Sequence, residues 1–421
     1  MKVFKFGGAS ANSIDRIKNI PVILNSYQDE KLLIVISAIG KTTNALEKVV
    51  ESFFAGKKDV ALSLFEIIKQ SHLHTLKYLV TITWKEAEES LLSVFTEVEW
   101  LLHDKPVKEY DYYYDQIVCA GELLSTRILS AFLNEAGVAN KWIDVRDIIR
   151  TDDNFRDASL DWDFTKKKVD EVILPLFQLT NIIITQGFIG STDENESTTL
   201  GREGSDYSAA IFANMLNAKD LTIWKDVEGV MNADPKEFSD ASFISALSFN
   251  EVIEMAYYGA QVIHPKTIKP LQNKNIPLLV KCFLQPGLSG TIISKQPVHD
   301  LPPIIVIKQN QVLMQLNSKD FSFVGEKPVS RLYEIFASIK IKPNLTQSGA
   351  ITMLCCLDDV IEKIEKLALA ASAIFDVRIE KNLTLMTIRH YNKTLIEKLP
   401  ADKTIVLEQK TSDTIQVLTK N

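Results

Sequence analysis

The chain has 421 residues, 46% hydrophobic and 24% charged, an ordinary globular composition long enough for two or three domains. Its net charge of −7 offers no basic excess to displace phosphate counterions, which argues against a nucleic-acid partner. No apolar run reaches the roughly 18 residues that span a bilayer, so no membrane partner is expected. The opening residues reach Gly7-Gly8 too soon for a secretion signal, and a cytoplasmic location is expected. The cysteines (Cys119, Cys282, Cys355, Cys356) lack C-x-x-C spacing and are too sparse for a disulfide framework; the adjacent pair suits buried thiols.

Apolar, often β-branched runs at residues 3–6, 32–36, 139–143, 182–185, 221–224 and 276–280 predict strands of a sheet covered by helices on both faces. Between the second and third, Leu46, Val49, Val50, Phe53 and Phe54 line one face of a helix that stops at Gly56. Residues 60–103 carry two amphipathic helical stretches and read as an inserted hairpin. The fold expected over residues 1–285 is therefore α/β, an open sheet sandwiched by helices. A linker is expected at 286–303, where Gln285-Pro286-Gly287 and Leu301-Pro302-Pro303 break the pattern. Residues 304–421 alternate short strands (311–316, 350–357, 377–380, 383–388) with helices (329–339, 360–371), as in small α+β ferredoxin-like modules. A second module would have a helix near 393–399 and strands near 405–409 and 414–418, and looks shortened.

Several loops carry chemistry. Lys5-Phe6-Gly7-Gly8-Ala9-Ser10 follows the first strand, where glycines allow close approach of a ligand and a lysine can neutralise a phosphoryl group. Gly40-Lys41-Thr42 imitates a P-loop, but Val35 occupies its first glycine position, and no G-x-G-x-x-G follows a strand. Thr198-Thr199-Leu200-Gly201-Arg202-Glu203-Gly204-Ser205-Asp206 precedes a helix expected from residue 207, with Ser205 or Asp206 as its cap and Arg202 as a planar anion clamp. Trp224-Lys225-Asp226 and the loop to Lys236 lie beyond the carboxyl end of the fifth strand, where open α/β sheets bind ligands. Taken singly, each also reads as a tight turn or a capped helix.

Taken in order, the motifs resemble aspartate kinase, of the amino-acid kinase family. They are K-F-G-G-x-S, Ser37-Ala38-Ile39-Gly40-Lys41-Thr42-Thr43-Asn44, Gly121-Glu122, Arg150-Thr151-Asp152, T-T-L-G-R-x-G-S-D, D-V-x-G-V-x-x-A-D-P and Gly259-Ala260-Gln261-Val262-Ile263-His264-Pro265. The resemblance covers residues 1–285, and the tail is similar to that family's paired ACT domains. It implies transfer of a phosphoryl group from ATP to the β-carboxylate of L-aspartate. Lys5 and Asp206 would then be catalytic. Gly7, Gly8 and Ser10 would line the phosphoryl oxygens, and Ser37, Thr43, Glu122, Arg202 and Ser205 would hold the amino acid. Lys225, Asp226, Met231, Lys236 and Gln261 would face the nucleotide. Mg²⁺ is implied on the phosphate oxygens without a protein metal site, and the tail implies a homodimer.

This chain departs from the family pattern at Ala9, usually a hydroxyl residue; Glu203, usually Gly; Met231, usually Tyr; and Gln261, usually Lys. Glu203 and Gln261 together imply weaker ATP binding. In the tail, Pro343-Asn344 stands where lysine-sensing members present Val-Asp, which implies weak or absent inhibition by lysine. Two alternatives remain: a catalytically weak amino-acid sensor, and a kinase of another small carboxylate such as glutamate or acetylglutamate. A fused homoserine dehydrogenase is not expected, since no dinucleotide-binding pattern occurs.

Overall fold

The computed structural model describes residues 1–320, 322–391 and 404–420. The chain divides into two compact units: one of Met1–Val230, Phe243–Ile253 and Val262–Val298, the other of Met231–Ser242, Glu254–Gln261 and His299–Asn421.

In the first unit the apolar runs form the strands β1 (Lys2–Phe6), β2 (Leu32–Ile36), β3 (Lys141–Trp142) and β4 (Ile182–Gln186). A short hairpin follows, of β5 (Ile189–Ser191) and β6 (Ser197–Thr199), and then come β7 (Leu221–Lys225), β8 (Ala246–Ser248), β9 (Leu278–Cys282) and β10 (Thr291–Ser294). The large sheet runs β8-β10-β9-β7-β1-β2-β4-β3 and is parallel except where β9 meets β10. Every residue of β2 and β4 is buried, as a sheet with helices on both faces requires.

The helices of the first unit include α1 (Ile14–Asn25), α2 (Thr42–Phe54), the expected hairpin of α3 (Lys58–Leu79) and α4 (Trp84–His103), α5 (Tyr110–Val118), α6 (Ala120–Glu135), α7 (Gly204–Met215) and α8 (Pro265–Lys274). Leu46, Val49, Val50 and Phe53 are the buried stripe of α2, and Gly56 follows it at φ 74°. Together α5 and α6 make a helical run, Tyr110–Glu135, long and apolar enough to cross a membrane. It serves instead as a core helix: 83% of its most apolar window is buried, and its Ile117, Val118, Leu123 and Leu124 are 0–1% exposed. Strands β8, β10 and the β5–β6 hairpin were not predicted. At three or four residues each they are too short to show a period.

The second unit is built on one antiparallel sheet. Its strands are β11 (Ile304–Ser318), β12 (Leu345–Ser348), β13 (Thr352–Asp358), β14 (Phe375–Arg389), β15 (Ile405–Lys410) and β16 (Thr414–Lys420), in the order β12-β13-β11-β14-β16-β15. Helices α9 (Glu326–Ile339) and α10 (Ile361–Ala371) complete a βαββαβ ferredoxin-like module from β11 to β14. Alternation along the strands builds two cores. Val312, Met314, Leu316, Cys355 and Leu357 pack with Leu332, Phe336, Ile364 and Leu367 of the helices. Leu313 and Cys356 turn to the opposite face with Leu383, Leu385 and Leu418. The neighbouring cysteines thus point to opposite faces, and burial pushes each thiol up to about 12. The strands expected at 377–380 and 383–388 are one strand, β14, which passes through Asn382 at φ 60°. The expected helix at 393–399 lies outside the described residues, whereas β15 and β16 occupy the expected strand positions.

Candidate active site

At the carboxyl ends of β1, β2 and β4, where the parallel sheet opens, a cavity of about 380 Å³ lies within the first unit. Lys5, Ser37, Thr43, Glu122, Arg202, Ser205 and Asp206, all expected at the site, line it. Lys5 projects from β1, and its ammonium lies 2.7 Å from Asp206 Oδ1 on α7. Two loops must pass closely here. A Cβ on Gly8 would stand 2.9 Å from the carbonyls of Ala38 and Gly40, so only glycine lets the loop after β1 approach the loop after β2. On the far side, a Cβ on Gly187 would lie 2.6 Å from Ser205 Cβ, which lets the start of α7 sit directly on the end of β4.

The electrostatics separate two buried acids. Burial alone would raise the Asp206 carboxyl, but Lys5 and Lys225 hold it below the ordinary carboxylate range, and it is a carboxylate at neutral pH. Glu122 is 2% exposed on α6. Its Oε1 accepts the Ala38 amide at 3.2 Å, and its buried Oε2 has no hydrogen-bond partner among the described residues. Burial pushes this carboxyl up to about 8, and the Ala38 amide and Lys5 offset only part of that. An orphaned acid oxygen beside a cavity suits a ligand that brings a cation.

Tyr114, Arg156 and Phe188, absent from the sequence expectation, complete the wall together with Thr199 and Glu203 of the Thr198–Asp206 motif. The Tyr114 hydroxyl donates to Glu47 at 2.8 Å, and the Arg156 guanidinium stacks 4.5 Å over the Tyr114 ring. Arg156 and Phe188 have φ of 68° and 72°, left-handed conformations that these residue types do not advertise. Behind the wall, Asp115 is fully buried and accepts the Thr199 amide at 2.8 Å, the Thr199 hydroxyl at 2.7 Å and the Arg156 amide at 2.9 Å. It ties both loops to α5, and burial still raises its carboxyl to about 6. A lone acid inside the apolar stretch from Tyr113 to Ala120 was the legible signal for it.

Other expected residues are placed differently. Helix α7 begins at Gly204, so Ser205 and Asp206 lie inside its first turn and do not cap it. Glu203 holds the cap position in a left-handed conformation, φ 53°, with no side-chain cap bond. Its carboxylate instead accepts the His264 amide at 2.9 Å, while Lys225 Nζ donates to the Val262 carbonyl at 2.6 Å. Lys266, in the first turn of α8, pairs with Asp157. The Ser10 hydroxyl is buried and donates to the Trp224 carbonyl at 3.1 Å, leaving its loop only backbone donors. Gly7 and Gly8 sit at the end of β1, and Lys225 ends β7 with Asp226 exposed after it. Met231, Lys236 and Gln261 belong to the second unit.

The model of the amino acid kinase family matches residues 1–282. Over 403 residues the chain is 31% identical to the lysine-sensitive aspartokinase 3 of Escherichia coli K12, covering 92% of this chain and 86% of that one. It belongs to the aspartokinases of the amino acid kinase family. A chloroplastic aspartokinase 1 of Arabidopsis thaliana is 32% identical over 408 residues, 87% of this chain and 67% of the relative. The crystal structure of E. coli aspartokinase III in complex with aspartate and ADP superposes with a TM-score of 0.82 at 27% identity, covering 100% of this chain and 96% of the other. An aspartokinase cavity must receive a zwitterionic amino acid and a polyanion side by side. Glu122, with its orphaned oxygen, and the Lys5–Asp206 pair line one cavity and offer such ligands both an acid and a cation.

Proposed function

We propose that the chain transfers the γ-phosphoryl group of ATP to the β-carboxylate of L-aspartate, giving aspartyl phosphate and ADP. One observation carries this reading: the orphaned Glu122 Oε2 shares a cavity with the Lys5–Asp206 pair. The acceptor carboxylate is ionised at neutral pH, so no general base is required, and the task is alignment and charge neutralisation. Lys5 meets charge developing on the transferred phosphoryl, and Asp206 holds its ammonium in place. Glu122 receives the substrate ammonium, Arg202 pairs with its α-carboxylate, and Ser37, Thr43 and Ser205 offer hydroxyls. Gly7 and Gly8 are assigned the backbone donors to phosphate, whereas the amide of Ser10, expected beside them, bonds the Gly7 carbonyl at 2.9 Å. Lys225, Asp226, Met231, Lys236 and Gln261 are assigned to the nucleotide.

Mg²⁺ is assigned to the phosphate oxygens, where it would neutralise charge on the triphosphate. Such an ion binds through few protein ligands and arrives with its nucleotide. The ferredoxin-like module of the second unit is assigned as an ACT regulatory domain and as the contact of a homodimer. The cytoplasm is the assigned compartment, and the product is the first intermediate towards lysine, threonine and methionine. Support comes from the E. coli relative, solved with aspartate and ADP (R-state) and with lysine and aspartate (T-state).

The deciding experiment follows ADP release with L-aspartate, L-glutamate, N-acetylglutamate and no acceptor. Release that depends on aspartate alone is expected. Release with glutamate or acetylglutamate instead, or aspartate binding without ADP release, would replace this reading with one of the two alternatives.

A further inference from the structure

Apart from the kinase cavity, the second unit holds a hollow of about 890 Å³ lined wholly by its own residues. Four lysines face it: Lys308 from β11, Lys340 at the end of α9, Lys342 in the following loop and Lys363 in the first turn of α10. In a chain of net charge −7, this is a local reversal of sign. Only part of that charge is offset from within, by Asp358, which interacts with Lys308. Lys308 donates to Asn344 Oδ1 at 2.6 Å and Lys363 to the Lys340 carbonyl at 2.7 Å, both neutral acceptors. Among the described residues Asp358 is the one carboxylate on the wall. Its Oδ1 accepts the Asn344 amide at 2.8 Å and the Gln311 amide at 2.9 Å.

The remaining surface is suited to an organic body. Tyr257 and Tyr333 line the hollow and are 64% and 46% exposed, so two rings lie open to a ligand. A neighbouring depression of about 260 Å³ shares Asn344 and Thr346 and continues to Thr411, Thr414 and Gln416, all uncharged hydrogen-bonding groups. We propose that this hollow binds a small organic phosphate, its phosphate among the lysines and its planar or hydroxylated part against the tyrosines and the threonine-lined depression. Several ammonium groups around one phosphate give charge-assisted contacts that a single carboxylate cannot match. A free amino acid, carrying its own ammonium, would meet four like charges here.

Calorimetry on the full chain, with saturating ADP and aspartate to fill the first cavity, tests the proposal. The titrants are adenosine monophosphate, glucose 6-phosphate and inorganic pyrophosphate, with citrate and lysine as non-phosphate arms. Binding of one or both organic phosphates is expected, the first two arms separating a nucleotide from a sugar phosphate. In a Lys340→Ala/Lys342→Ala variant that binding should weaken about tenfold or more, with ADP affinity and melting temperature unchanged. Both lysines lie outside the kinase cavity, so the result does not depend on turnover. No organic phosphate binding, equal affinity in the variant, or tighter binding of pyrophosphate, citrate or lysine would each overturn the proposal.

Discussion

Asp206 and Glu122 are both buried acids, yet their surroundings drive them apart, and that contrast makes each testable. Removing Lys5 deletes the cation on the phosphoryl path and leaves Asp206 buried without its ion-pair partner. Lys5→Ala is expected to lower kcat by about 10²–10³ in steady-state assays, with the circular-dichroism spectrum retained; near-normal turnover would exclude the role. For Glu122 the sign follows from linkage. Its folded value, about 8, lies above its ordinary 4.5, so its contribution to stability is full below about 4.5 and is lost as pH rises through about 8. Glu122→Gln escapes that loss. In ligand-free thermal melts the variant should gain on the wild type steadily between pH 5 and 8 (about the interval between the two values), and a constant difference would refute it. The motifs made Lys5, Arg202 and Asp206 legible, because chemistry restricts residue type at those points. They could not reveal Arg156 or Phe188, whose place depends on left-handed backbone that nothing in their side chains announces.

At the scale of elements, the cap of α7 shows how a departure from a family pattern can acquire a job. From sequence, Glu203 adds charge beside phosphates; in the fold its carboxylate holds the His264 amide across 61 residues of chain. Glycine at 203 would relieve the left-handed strain, worth about 1 kcal/mol, but forfeits a charge-assisted bond worth about 1.5–3 kcal/mol. Glu203→Gly is therefore expected to melt below the wild type by roughly 1 kcal/mol, and to raise rather than lower KM for ATP, since Lys225 is anchored to Val262 of the same loop. Unchanged melting with a lower KM would restore the simpler charge argument. Strand β2 was readable because both faces are buried and all its residues are apolar, and β1, β4 and β7 because apolar residues outnumber polar ones in short runs. The division of β14 into two was misread because Asn382 looks like a turn, and a left-handed residue can sit within a long bent strand as well as between two.

For the whole molecule the question is whether the second unit reports lysine to the enzyme. Asn344, where lysine-sensing relatives are expected to carry an acid, is committed on both sides: its oxygen to Lys308 and its amide to Gln311 and Asp358. Weak or absent inhibition is expected when activity is measured at sub-saturating aspartate with millimolar lysine, threonine or methionine. Asn344→Asp should not create sensitivity, because the new carboxylate would face Asp358 across the present 2.8 Å contact. Inhibition at low micromolar lysine in either protein would reverse this view.

The strand order has a consequence for how the protein is made. β1, synthesised long before β7, pairs with β2 on one side and with β7, which starts at Leu221, on the other. At about 5–20 residues per second, roughly ten to forty seconds pass before that second partner exists. Until then the nascent chain presents an apolar strand edge made of Val3, Phe4 and Phe6, open to any other extended segment. The centre of the finished sheet is therefore its most exposed part during synthesis, and a stalled or truncated product ending before β7 is a species for chaperones or proteases.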